Sequence, residues 1–82
     1  MTSAKERKIL LLIDQAMADV NDGAKKMYDF ARKSHRILKY REEGGFTDKI
    51  KERFDALESK SAIYAYTMRD LADIYERCRK KR

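Results

Sequence analysis

The chain reads as an all-α protein: a long antiparallel helical hairpin, coiled-coil-like, pairing into a four-helix bundle. Three observations lead there. Apolar side chains recur at alternating steps of three and four along two long segments, which puts them on one helical face. The 82 residues include no proline and three glycines, so little removes a backbone donor or forces a kink. Gly44 and Gly45 fall together between the two segments, where a helix can end through backbone angles that other residues avoid.

The first segment predicts a helix over about 4–43. Ser3 followed by Glu6 matches a capping box, in which two early backbone donors are satisfied reciprocally. The apolar line then runs Ile9, Ile13, Ala16, Val20, Ala24, Met27, Ala31, Ser34 and Leu38, with Leu12, Phe30 and Ile37 beside it. Asn21-Asp22-Gly23 has the composition of a helix stop. The line nevertheless keeps its phase from Val20 through Ala24 to Met27, which favours one continuous helix. Gly23 inside it costs about 1 kcal/mol relative to alanine. A helix broken at Asn21–Gly23 is the alternative.

The second segment predicts a helix over about 46–80, opened by Thr47 as N-cap with Asp48 near the positive end of the dipole. Its apolar line is Phe46, Ile50, Phe54, Leu57, Ser61, Tyr64, Met68, Leu71, Tyr75 and Cys78. The whole chain, 1–82, is expected to be one helical domain with a basic C-terminal tail. At 1.5 Å per residue each helix would be on the order of 50–60 Å long. Leu10, Leu11, Ile63, Tyr66 and Ile74 fall outside the seam of such a hairpin. A homodimer, or another helical protein, is expected to cover them. The core or interface residues are then Ile9, Ile13, Val20, Met27, Leu38, Ile50, Phe54, Leu57, Tyr64, Met68, Leu71 and Tyr75.

No constellation for catalysis or metal binding stands out, and no cofactor is expected. His35, the only histidine, has no acidic residue three or four positions away, as a Glu-x-x-His metal site would need. Cys78, the only cysteine, has no Cys-x-x-Cys partner. Its place on the apolar line makes it a small packing residue. Asp70 and Asp73 lie on neighbouring turns and read as solvated flanks beside Arg69 and Arg77. Gly44-Gly45 lacks the Gly-Lys-Ser/Thr ending of a phosphate loop.

The formal charge is +6, which attracts anionic partners. Folding at residues 44–45 would bring Lys5, Arg7 and Lys8 to the same end as Arg77, Arg79, Lys80, Lys81 and Arg82. Arg32, Lys33, Arg36, Lys39 and Arg41 would form a second basic patch near the turn. The longest apolar run, Ile9 to Ile13, has five residues, against roughly 20 for a membrane span. No transmembrane association is expected. One cysteine and no evident leader suit the cytoplasm, with leaderless secretion left open.

Tyr66-Thr67-Met68-Arg69-Asp70 resembles the Tyr-x-x-x-Asp/Glu pattern of proteins exported by type VII secretion systems. The helix, short turn, helix plan is similar to the small helical-hairpin class among them. Gly44-Gly45-Phe46 stands where that class carries Trp-x-Gly, and 12 residues follow Asp70, so no membership is assigned. The functional expectation is a small non-catalytic protein–protein interaction module: an adaptor, inhibitor, secretion partner or regulatory subunit using apolar helical faces. The alternative is a nucleic-acid-binding protein using the basic ends of a helical dimer.

Overall fold

A computed structural model describes residues 3–80 of the chain. Those residues form four α-helices and no strand: α1 (Ala4–Asn21), α2 (Met27–Glu42), α3 (Asp48–Lys60) and α4 (Met68–Lys80). Each predicted long helix is therefore two shorter ones. The longest principal dimension is 39 Å, well short of the roughly 60 Å that a continuous helix over 4–43 requires. The principal helix contacts are α1 with α2, α1 with α3, and α2 with α4.

Local chemistry accounts for each boundary. Ser3 Oγ accepts from the Glu6 amide at 3.1 Å, and Thr47 Oγ1 from the Ile50 amide at 3.3 Å. At the end of α2 the Gly45 amide donates to the Tyr40 carbonyl and the Gly44 amide to the Arg41 carbonyl. With Gly44 at φ +77°, this is a Schellman ending, which satisfies carbonyls that the last helical turn leaves open. Gly45 also lets Lys5 and Ile9 approach: a side chain added there would meet both at 3.3–3.5 Å.

The first break is a correction to the continuous helix over 4–43. Gly23 adopts φ +76° and has open space where a side chain would be. Its role is thus conformational: it supplies the left-handed angle that ends α1, and a 3₁₀ turn over Gly23–Lys26 leads into α2. The apolar line misled because it crosses the break on Ala24 and Met27. Ala24 is exposed and Met27 is 38% exposed. Neither belongs to the buried core, so their phase carries no structural information.

The second break corrects the helix over 46–80. After α3 a 3₁₀ turn spans Ser61–Ile63 and the chain becomes extended at Tyr64, with φ −86° and ψ 155°. Ser61 Oγ donates to the Glu58 carbonyl at 2.7 Å, a local bond of the kind that competes with helix propagation. Thr67 and Asp70 then start α4 reciprocally. The Asp70 amide donates to Thr67 Oγ1 at 3.1 Å, and the Thr67 amide faces Asp70 Oδ2 at 3.4 Å. Thr67-x-x-Asp70 is thus a cap with an aspartate in the usual glutamate place. Tyr66, the first residue of the pattern that suggested an export signal, lies outside the helix.

Burial follows the resulting pairs. Ile9, Ile13, Val20, Ile50, Phe54, Leu57, Tyr64, Met68 and Leu71 are buried, and Leu38 and Tyr75 pack against them partly covered. α2 touches both α1 and α4, so it buries a broad arc comprising Phe30, Ala31, Ser34, His35 and Ile37. Burial along α4 stops at Glu76. Cys78, expected to pack, is exposed because it lies past that last covered turn.

Tyr64 links the two breaks. Its hydroxyl is placed to donate to the carbonyl of Gly23 at 2.8 Å and to that of Asp19 at 3.1 Å. Its ring lies 5.2 Å from that of Phe30. Burial raises the Tyr64 pKa above 10.0, and the negative charges of Asp19 and Asp22 add to the rise. Below pH 10 the phenol is protonated in folded and unfolded chains alike. Above it the unfolded chain loses the proton first, so this group makes stability fall as pH climbs toward the folded value. Tyr64→Phe is expected to destabilise by about 1 kcal/mol at pH 7 through the lost bond. It should also remove one late tyrosinate component from an ultraviolet titration. An unchanged titration would contradict the buried hydroxyl.

Candidate functional site

Arg32, His35, Arg36 and Lys39 recur at helical spacing and share one face of α2. α4 crosses this face with Tyr75 between Tyr28 and His35; the ring centroids lie 5.8 and 5.5 Å away. Its first turns are elsewhere: Arg69 and Asp73 line a concavity with Leu38, Arg41 and Glu42 near the end of α2. The two helices therefore run in opposite directions. Between them lies a groove lined by Arg32, His35, Arg36, Lys39, Tyr75 and Arg79. The Arg79 guanidinium sits 5.9 Å from the Tyr75 ring centroid, within range of a cation–π attraction.

Arg36 also borders a second groove, between α1 and α2, with Lys8, Leu11, Leu12, Gln15 and Tyr40. One continuous face thus carries Lys8, Arg32, Arg36, Lys39 and Arg79. Among the described residues, the carboxylate within ion-pair distance of these cations is Asp29, 3.9 Å from Arg32 across a partly exposed pair. Exposed pairs of that kind contribute about 0–1 kcal/mol, so the face keeps most of its positive potential. The concavity containing Arg69 and Asp73, and another containing Arg41, Lys51 and Asp55, mix both signs of charge.

The other predicted cations have separate places. Lys33 turns away from the α2 patch to pair with Asp19, both side chains largely covered. Arg41 lies over the Phe54 ring at 5.5 Å from its centroid. Lys5 packs beside Gly45 at the far end of α2, rather than joining the C-terminal cations as a hairpin would require. Arg7 and Arg77 are exposed, and Lys80 pairs with Glu76 at 3.6 Å. Lys81 and Arg82 lie outside the described residues. The two predicted basic clusters are thus reshuffled, and Arg79 from one joins Arg32, Arg36 and Lys39 from the other. That union needs a break between α3 and α4 that brings α4 back along α2, which the continuous-helix reading did not contain.

His35 is 92% covered, and its Nε2 has no hydrogen-bond partner among the described residues; Ser34 Oγ is likewise buried and unpartnered. Among the described residues no three His, Cys, Asp or Glu side chains converge as metal ligands, and no helix is long and apolar enough to cross a membrane. No family model matches the chain, and comparison with curated proteins and with solved structures yields no significant match.

The geometry separates structural from surface cations. Lys33→Met is expected to lower stability by about 3 kcal/mol, because it strands the covered Asp19 carboxylate. Arg36→Ala, on the exposed face, should stay within about 0.5 kcal/mol of wild type. Chemical denaturation checks both; equal effects would contradict the division.

Proposed function

We propose that the chain is a small non-catalytic binding module whose cationic α2–α4 face holds a nucleic acid through its phosphates. The observation that carries this reading is the single face of Lys8, Arg32, Arg36, Lys39 and Arg79, drawn from three helices with one weak carboxylate partner among the described residues. Arginine forks suit phosphate oxygens, and lysine adds a mobile point charge. Contacts of this kind give affinity and register without reading sequence. The exposed Tyr28 ring beside the cations favours a nucleic acid over an acidic protein surface, since a base offers it a planar face and a carboxylate does not.

This moves the binding surface from the basic ends of a dimer to the side of one four-helix unit. It also moves it away from the apolar helical faces, most of which pack within the chain. A protein-partner reading retains one specific support. Ile63 is 62% exposed and Tyr66 49% exposed on the connection between α3 and α4. Tyr66 lines a shallow groove with Ala62, Ala65 and Met68, which suits a second copy or another helical protein.

Titration of a labelled oligonucleotide tests the leading reading. With four or five phosphate contacts, affinity is expected to fall on the order of 100-fold between about 50 and 200 mM salt. Arg36→Ala should weaken binding and reduce the salt slope by about 1. No binding at the lower salt would overturn the proposal. Concentration-dependent sedimentation abolished by Tyr66→Asp, in the same absence of nucleic-acid binding, would establish the protein-partner reading in its place.

A further inference from the structure

Three rings form a row beside the cations. Tyr28 opens it at 65% exposed, Tyr75 is half-buried in the middle, and His35 closes it under cover. Only the outermost ring offers a free face. A phenol ring left this open on the first turn of α2 gains little by packing, yet it has a rigid aromatic wall behind it. Arg32 and then Arg36 follow Tyr28 on the same helical stripe, one turn at a time, with Lys39 beyond.

We infer that this face takes a single-stranded nucleic acid, with Tyr28 stacking on a base and Arg32, Arg36, Lys39 and Arg79 holding the phosphates that follow. The inference rests on the proposed nucleic-acid reading and names its substrate class. In a duplex the base faces are already stacked on one another, so an exposed ring finds only backbone. In a single strand every base has a free face, and stacking on an aromatic side chain is tolerant of sequence. The stripe from Tyr28 to Lys39 spans about 16 Å of helix, a distance that a few nucleotides of an extended strand bridge. One unit therefore covers a short segment.

Fluorescence anisotropy with a mixed-sequence strand of about ten nucleotides, within the usual range of single-strand site sizes, tests the inference against the matching duplex and against polyglutamate. The strand is expected to bind about tenfold more tightly than the duplex at low salt. Tyr28→Ala should abolish that preference by weakening the strand about tenfold while leaving duplex affinity unchanged. Tyr28→Phe should restore it, since the ring and not the hydroxyl does the stacking. Thermal melts of both variants establish that they fold, as the exposure of Tyr28 leads one to expect. Equal binding of strand and duplex, with Tyr28→Ala at wild-type affinity, would overturn the single-strand inference and leave phosphate binding standing. Absence of binding to either would overturn both. Polyglutamate competing as well as the strand would overturn both in favour of an acidic protein.

Discussion

The Tyr64 hydroxyl is the point on which the architecture turns. It reaches the carbonyls of Asp19 and Gly23, where α1 ends and the last-turn acceptors lack helical donors. The same residue interrupts what would otherwise continue from α3 into α4. One side chain therefore satisfies the first helix break by creating the second. Its ring against Phe30 adds the start of α2 to the same junction. An aromatic pair of this sort contributes about 0.5–1.5 kcal/mol beyond its buried area, so the junction joins polar satisfaction to packing.

Much of the core is readable from periodicity, because a side chain facing inward on a short helix has the same spacing as on a long one. Ile9, Ile13, Ile50, Phe54 and Leu57 are buried on that ground. Periodicity says nothing about where the chain reverses. At Gly23 the deciding quantity is a positive φ, and the bordering Ala24 and Met27 imitate a stripe without belonging to the buried core. At Ser61–Thr67 there is neither proline nor glycine, so the usual punctuation is absent. The legible signal there was Thr67-x-x-Asp70, a start signature that implies a stop before it. Tyr64 itself, placed on the apolar line, gave no sign that its polar tip would be the feature that mattered.

The charged surface follows from those reversals. Linear order groups Arg32 with Lys33 and Arg41, yet a helix sends neighbours in sequence to different faces. Lys33 meets Asp19 across the α1–α2 pair, and Arg41 meets Phe54 from α3. The remaining cations gather with Arg79 because α4 returns along α2 with Tyr75 set between Tyr28 and His35. Helical spacing made Arg32, Arg36 and Lys39 readable as one stripe. Arg79, Tyr75 and Lys8 entered only through tertiary packing, since the periodicity ran on across the two breaks that bring α1 and α4 to this face.

Both the core and the cationic face require α1 and α2 to be two antiparallel helices rather than one rod. Spin labels at Arg7 and Glu43 report this directly through their dipolar distance, in protein diluted with unlabelled chain. The contact of Lys5 with Gly45 puts the two labels at the same end of the α1–α2 pair, so a short distance with a narrow distribution is expected. A distance near 54 Å, the length of the straight helix between those positions, would contradict the break at Gly23 and the four-helix arrangement built on it.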